Sequence, residues 1–216
     1  YIAWRGITEA TMKAYGVETK GGTLHFTYPN GATKMRPKDK KEFWWHGAAS
    51  DARCFGSDKF TSGGAKAVTI CEGELDCLSA YQLLGSKYPA LSIRGASSAG
   101  QDCGGVRDYL NAFERIYLCF DNDEPGQTAV KEVAKLFDPN KIYHVVLSKY
   151  KDANEYLEKG EGDAFVRAWW NARPFLAHIR AAAPAQQRSA LAVLGVALAR
   201  DAAFVDHRLR LPAIVG

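Results

Sequence analysis

No apolar run in these 216 residues approaches the ~18 needed for a membrane-spanning helix, and no signal-peptide pattern is present, so neither a membrane protein nor an exported one is expected. The five cysteines, Cys54, Cys71, Cys77, Cys103 and Cys119, are odd in number and never form a CxxC pair. That spacing suits neither a zinc ribbon nor a disulfide framework; no zinc site is expected in this chain, and a reduced, intracellular setting is. His25, His46, His144, His178 and His207 show no metal-ligand spacing, and none is assigned a catalytic role. There is no GxxxxGK[ST] segment, no internal repeat and no low-complexity tract. Because the chain opens at Tyr1 rather than methionine, a fragment or processed product is expected.

What is present describes an ordinary folded protein, 47% hydrophobic and 24% charged, with a net charge of +4. A mildly basic balance permits a polyanionic partner without requiring one, so the placement of charge matters more than its total. Between Lys34 and Lys41 lie five basic residues, Lys34, Arg36, Lys38, Lys40 and Lys41, against one acid, Asp39. This is the basic end of the molecule.

The segment ITEATMKAYGV, with Thr8 as a cap, predicts a short helix. Runs LHFTY and ATKMR predict two strands joined by a turn at Pro29 to Gly31. A glycine-rich break at Ser62 to Gly64 places a boundary near residue 65. Beyond it strands and helices alternate: strand 67–71, helix 74–85, strand 90–93, helix 103–113, strand 116–120, helix 125–137, strand 142–147, and helices 153–159 and 164–171. Such alternation with short connections predicts an α/β fold: a parallel sheet flanked by helices, with a small basic α+β lobe before it. The expected divisions are 1–65 for the basic lobe, 66–174 for the parallel sheet and 175–216 for a helical tail or linker, where Leu191, Leu194 and Leu198 share one helical face. Trp44 and Trp45, like Trp169 and Trp170, read first as packing residues, although an indole beside a basic stretch also suits stacking on a base.

Acids stand where strands are expected to end: EGELD at Glu72 to Asp76, DND at Asp121 to Asp123, and KDANE around Asp152. In open α/β sheets the carboxyl ends of the strands form the ligand crevice, so these acids are expected to converge. Two carboxylates ~4 Å apart repel by roughly 4 kcal/mol at an effective dielectric of ~20. A cluster of them keeps protons or holds a hard divalent cation. Asp76, four residues after Glu72, returns to the same helical face, and Asp121 and Asp123 point the same way if the strand continues. EGELD alone also reads as ordinary acidity at a helix N-terminus, with Glu74 either there or in a supporting position. The loop Arg94 to Gly100 is built of small residues, which suits close approach to a phosphate or a plain connection equally.

The glutamate after the first strand and the DxD after the third resemble the Toprim domain of bacterial-type primases, type IA and II topoisomerases, RecR-like proteins and OLD-family nucleases. In order, YIAWRGITEATMKAYGV, the K-x-R-x-K-x-K-K stretch, EGELDCLSA, RGASSAG, DNDEPGQTAV and KDANEYL resemble the primase half of phage-type bifunctional primase-helicases, which are related to the mitochondrial replicative helicase. The similarity covers about residues 1–175. It implies a primase core that makes short RNA primers from ribonucleoside triphosphates on single-stranded DNA, inside the cytoplasm of an infected or host bacterial cell. It further implies Mg²⁺ (or Mn²⁺) on Glu72, Asp121 and Asp123, with Asp76 and Asp152 completing the catalytic acids. Lys34, Arg36, Lys38 and Lys41, together with Ser97 and Ser98, would face nucleotide and DNA. The family's zinc-binding module, expected upstream, and its helicase domain, expected downstream, are not in this sequence, so unwinding and priming-site choice are not assigned to these residues. Strand cleavage of the nuclease or topoisomerase type, and a non-catalytic DNA-binding lobe of a helicase, are the alternatives.

Overall fold

The computed structural model describes residues 1–175. The chain divides into two compact units, Tyr1–Pro174 and Phe175–Gly216; the tail expected over 175–216, with Leu191, Leu194 and Leu198, lies outside the described residues apart from Phe175.

Within the first unit, helix α1 (Glu9–Tyr15) starts where Thr8 accepts a hydrogen bond from the Thr11 backbone N–H at 3.3 Å and stops at Gly16, whose φ of 68° suits a residue without a Cβ. An antiparallel four-stranded sheet follows in the order β1 (Glu18–Lys20), β2 (Thr23–Thr27), β3 (Thr33–Pro37) and β4 (Trp44–His46). The two central strands and their turn are as the sequence predicts. The three-residue outer strands are additional, too short to show a period of two. Leu24 and Phe26 face the interior and pack with Tyr28 and Phe55.

The second sheet has the order β6 (Ala90–Ser92), β5 (Ala67–Cys71), β7 (Arg115–Cys119), β8 (Ile142–His144) and β9 (Arg173–Pro174). The first four run parallel and β9 closes the edge antiparallel to β8. Every residue of β5 is buried, as expected for a strand covered on both faces. Trp169 fixes one side of the core: its ring stacks on Tyr117 with centroids 3.9 Å apart and its Nε1 donates to Thr69 Oγ1 at 3.0 Å. Trp170, expected to pack as well, is 56% exposed.

Helices α2 (Glu74–Leu83), α3 (Ala99–Gly105), α4 (Arg107–Asn111), α5 (Glu124–Ala134), α6 (Ala153–Glu158) and α7 (Gly162–Trp170) connect the strands. The single helix predicted over 103–113 is two pieces that meet at Val106, because the Gly104–Gly105 pair ends the first. Chain order and sheet order together create the site. From β5 the chain moves outward to β6, then crosses back to β7 on the other side of β5. The strand order therefore reverses between β5 and β7, the position at which open α/β sheets bind ligands.

Candidate active site at the strand switch point

Cys71 and Cys119 are register partners at the ends of β5 and β7, so the residues that follow them leave the sheet side by side. Glu72 is the first residue past β5 and Asp121 the second past β7. Asp123 caps α5 by accepting the Gly126 N–H at 3.0 Å, and Asp152 caps α6 by accepting the Glu155 N–H at 2.8 Å. Asp76, in the first turn of α2, accepts the Asn154 N–H at 3.0 Å, which ties α2 to the start of α6. Gly126 permits the tight return after Asp121, since a Cβ at this position would lie 2.1 Å from the Asp121 carbonyl oxygen.

This wiring brings Asp76, Asp121 and Asp152 together: one carboxylate oxygen from each lies within 4.8 Å of the others. Glu72 stands beside them. Burial pushes its carboxyl above the ordinary value, the charge of Asp121 adds to the rise, and a backbone hydrogen bond from Asp121 opposes it. Asp121 is raised mainly by burial, against the pull of Lys151. Asp76 is raised well above the carboxylate range, first by burial and next by the charge of Asp152. The acids thus resist carrying full negative charge together.

Two features test whether a cation suits the site. Glu72 Oε2 is buried and has no hydrogen-bond partner, and the donor set consists of carboxylate oxygens, the ligands that hard divalent ions take. Both fit. The metal set expected from the sequence, Glu72, Asp121 and Asp123, is only partly the tightest group: Asp121 belongs to it, Glu72 adjoins it, and Asp123 stands at the exposed rim. Lys151 lies between, its Nζ 2.7 Å from Asp121 and 3.9 Å from Asp123. Its side chain is 55% exposed and that of Asp121 16%, so the carboxylate is half-buried while the lysine is free to withdraw into solvent.

The basic stretch divides in two. Lys34 is buried, its Nζ 2.9 Å from Glu74 Oε1, while Tyr28 Oη donates to the same carboxylate at 2.5 Å. That cation is already partnered and joins β3 to α2. Arg36 and Lys41 instead line a cleft of about 310 Å³ together with Lys34, Phe43, Glu74 and Asp76. Asp76 lines this cleft and also belongs to the acid cluster. Arg36 Nε is buried without a partner, and Arg36 and Lys38 both lie 5.9 Å from the Trp4 ring. Trp45 packs on Tyr28 with centroids 4.9 Å apart, whereas Trp44 is 46% exposed, unlike the packing pair expected.

Ser97 is exposed, and the Ser98 hydroxyl is spent within its own loop, on Asp102 Oδ2 at 2.9 Å and the Gly95 carbonyl at 3.0 Å. Fully buried Asp102 also pairs with Arg94 at 2.7 Å, and Arg94 Nη1 donates to the Ala49 carbonyl at 2.8 Å, so the loop is pinned to both halves of the unit. Sequence reading does not single out Lys151, Tyr28, Asn154, Asp102 or Phe43. A signal existed for Lys151 and Asn154, which stand beside Asp152 in KDANE.

Residues 69–157 match the Toprim-like family model. A DNA helicase/primase of Enterobacteria phage T3 is 38% identical over 144 residues, 66% of this chain and 25% of that relative, so the match spans about a quarter of the relative's length. The primase fragment of the bacteriophage T7 primase-helicase is 34% identical with a TM-score of 0.67, over 77% of this chain and 72% of that one. A second T7 structure, of the lagging-strand DNA polymerase with primase domains of two gp4 subunits bound to an RNA/DNA hybrid and dTTP, matches at 35% identity and a TM-score of 0.68, over 79% of this chain and 90% of that one. With acids converging at its switch point and this likeness across most of the T7 primase fragment, the chain belongs to the Toprim-containing primase domains of phage primase-helicases.

Proposed function

We propose that this domain synthesises short RNA primers on single-stranded DNA, as a DNA-directed nucleotidyltransferase using ribonucleoside triphosphates. The observation that carries this reading is the convergence of Asp76, Asp121 and Asp152 within 4.8 Å, beside a Glu72 oxygen with no partner, in a chain of this family. Glu72, Asp76, Asp121 and Asp152 would hold Mg²⁺ or Mn²⁺, with Asp123 at the rim orienting α5 and adding negative charge. A divalent ion there supplies a lowered pKa for an attacking 3′-hydroxyl and charge neutralisation at the phosphate.

The side chains position and neutralise, and no activated nucleophile is required of them. Arg36 and Lys41 line the cleft that runs to Asp76, and they balance the charge of a triphosphate or template backbone in a sequence-independent way. Lys34 contributes by holding Glu74, and so the start of α2, against the basic lobe. Ser97 remains accessible to phosphate, whereas Ser98 shapes the loop from within. Residues 1–65 and 66–174 would act as two halves of one catalytic unit. A helicase domain as partner follows the helicase/primase relative, while a zinc-binding module upstream and a site of action in the cytoplasm of an infected bacterium are what the family resemblance implies. No described helix is long and apolar enough to cross a membrane.

Metal-dependent incorporation of labelled ribonucleotide on a single-stranded template tests the proposal. Template-directed products of a few nucleotides are expected. Cleavage of the DNA without incorporation would favour a nuclease, and DNA binding with neither reaction would leave a non-catalytic lobe.

A further inference from the structure

We infer that Lys151 is a resident counter-ion of the acid cluster, a positioning residue that holds Asp121 in the metal-free protein and is displaced when a divalent cation binds. The inference rests on the metal reading above and concerns what stands in the site before the metal arrives.

Three observations lead to it. Among the ion pairs of the described residues, Lys151 supplies the cation facing the cluster, 2.7 Å from Asp121 and 3.9 Å from Asp123. The groups that face its ammonium come from separate elements: Asp121 and Asp123 after β7, Glu72 after β5, and Asp152 beside it in the chain. The side chain is 55% exposed, so withdrawing it from Asp121 needs no repacking of the core. A single lysine cannot balance the acids around it, but it lowers the repulsion among them enough for the empty site to fold. An incoming dication brings a second positive centre to Asp121, and its repulsion of the ammonium favours withdrawal of the lysine into solvent. Lysine and metal therefore compete for the negative charge of Asp121, and the lysine weakens metal binding while stabilising the metal-free protein.

Other cations near the acids behave differently: Arg5 and Arg36 act on Asp76 and Asp152 from the basic lobe. Lys34 is buried and held by Glu74, Tyr28 sharing the same carboxylate, with no freedom to move aside. Lys151 sits on the loop before α6 with one close partner and an open path to solvent.

The test compares the full chain with Lys151→Met and Lys151→Arg, using Mn²⁺ alone as the probe. Bound Mn²⁺ is read by the loss of the free-ion electron paramagnetic resonance signal at fixed ionic strength. Thermal unfolding is followed in EDTA and with saturating Mn²⁺. Loss of a competing pair whose lysine is solvent-exposed is expected to tighten Mn²⁺ binding by Lys151→Met about fivefold. The same variant should unfold at lower temperature in EDTA and gain more than the wild type from Mn²⁺. Lys151→Arg, which keeps the charge, should behave like wild type. Equal or weaker Mn²⁺ binding by Lys151→Met would overturn the inference, as would equal unfolding temperatures in EDTA. If neither wild type nor variant binds Mn²⁺, the metal reading itself fails and this inference with it; binding by both with the same affinity removes Lys151 alone.

Discussion

Two lysine–carboxylate pairs lie in the same compact unit and do opposite things. At the junction of the basic lobe with α2, Lys34 and Glu74 have side chains only 10% and 8% exposed, and Tyr28 Oη donates to the same carboxylate. At the strand switch point, Lys151 is 55% exposed and serves a group of acids that outnumbers it. The first pair is compensated: each charge has a partner, even though both side chains line the cleft beside Arg36 and Lys41. The second is under-compensated, with raised carboxyl pKa values and an unpartnered Glu72 oxygen, and a dication would relieve that imbalance. Burial alone does not mark a charge as functional. The count of partners around it does.

The largest effect expected from breaking this contrast is on chemistry. Asp121→Asn and Asp76→Asn should each lower primer synthesis by about a thousandfold, the scale on which charge-stabilising groups act, in a labelled-ribonucleotide assay at saturating Mg²⁺. Lys34→Met should act on stability. Leaving Glu74 buried without its cation should cost about 3–5 kcal/mol in urea unfolding, and Lys34→Met/Glu74→Leu should recover most of it. Recovery of stability in the double variant without recovery of the single variant would separate a structural pair from a phosphate-binding lysine.

Gly126→Ala falls between the two classes. Its Cβ would meet the Asp121 carbonyl oxygen at 2.1 Å, so the turn that aims Asp121 must shift. A loss of about 1–3 kcal/mol is expected from the overpacking, with roughly a hundredfold loss of activity from the misplaced carboxylate. Stability and single-turnover assays on the same preparation check both.

The smallest effect is in the pH dependence. Glu72, Asp76 and Asp121 have folded-state pKa values raised above their unfolded ones. The folded protein thus binds their protons more tightly, and this contribution to stability is present below the unfolded values of ~4 and lost as pH rises through the folded ones. In EDTA the unfolding temperature should therefore fall across that window, by ~2–4 °C per kcal/mol, and Asp76→Asn should flatten the fall. Saturating Mn²⁺ should reverse its direction, because the metal-bound acids must be deprotonated.

How much of this was legible in the sequence follows from range. The parallel core could be read because β5 and β7 are continuous apolar runs bounded by acids, and the strand ends that carry Glu72 and Asp121 come with them. β1, β4 and β9 could not, because two or three residues show no periodicity. The acid cluster was legible as a set, with Asp76 and Asp152 named in it through the family resemblance, but which three acids lie closest was not. Asp76 and Asp152 join Asp121 through the hydrogen bond from Asn154 to Asp76, a contact across 78 positions with no local trace. Distance in sequence also hides the nature of Lys34. It reads as one cation in a basic stretch, and only the fold brings Glu74 to it from 40 positions away. Trp44 and Trp45 look alike in sequence, yet alternation along β4 sends one ring to solvent and the other onto Tyr28.

The most direct measurement is anomalous scattering from a crystal of the protein soaked with Mn²⁺ and a ribonucleoside triphosphate. A peak among the carboxylates of Asp76, Asp121 and Asp152, with Glu72 turned toward it and Lys151 withdrawn from Asp121, is the expected result. No peak there, with Lys151 still on Asp121 and the nucleotide bound elsewhere, would contradict a metal-dependent centre at this switch point.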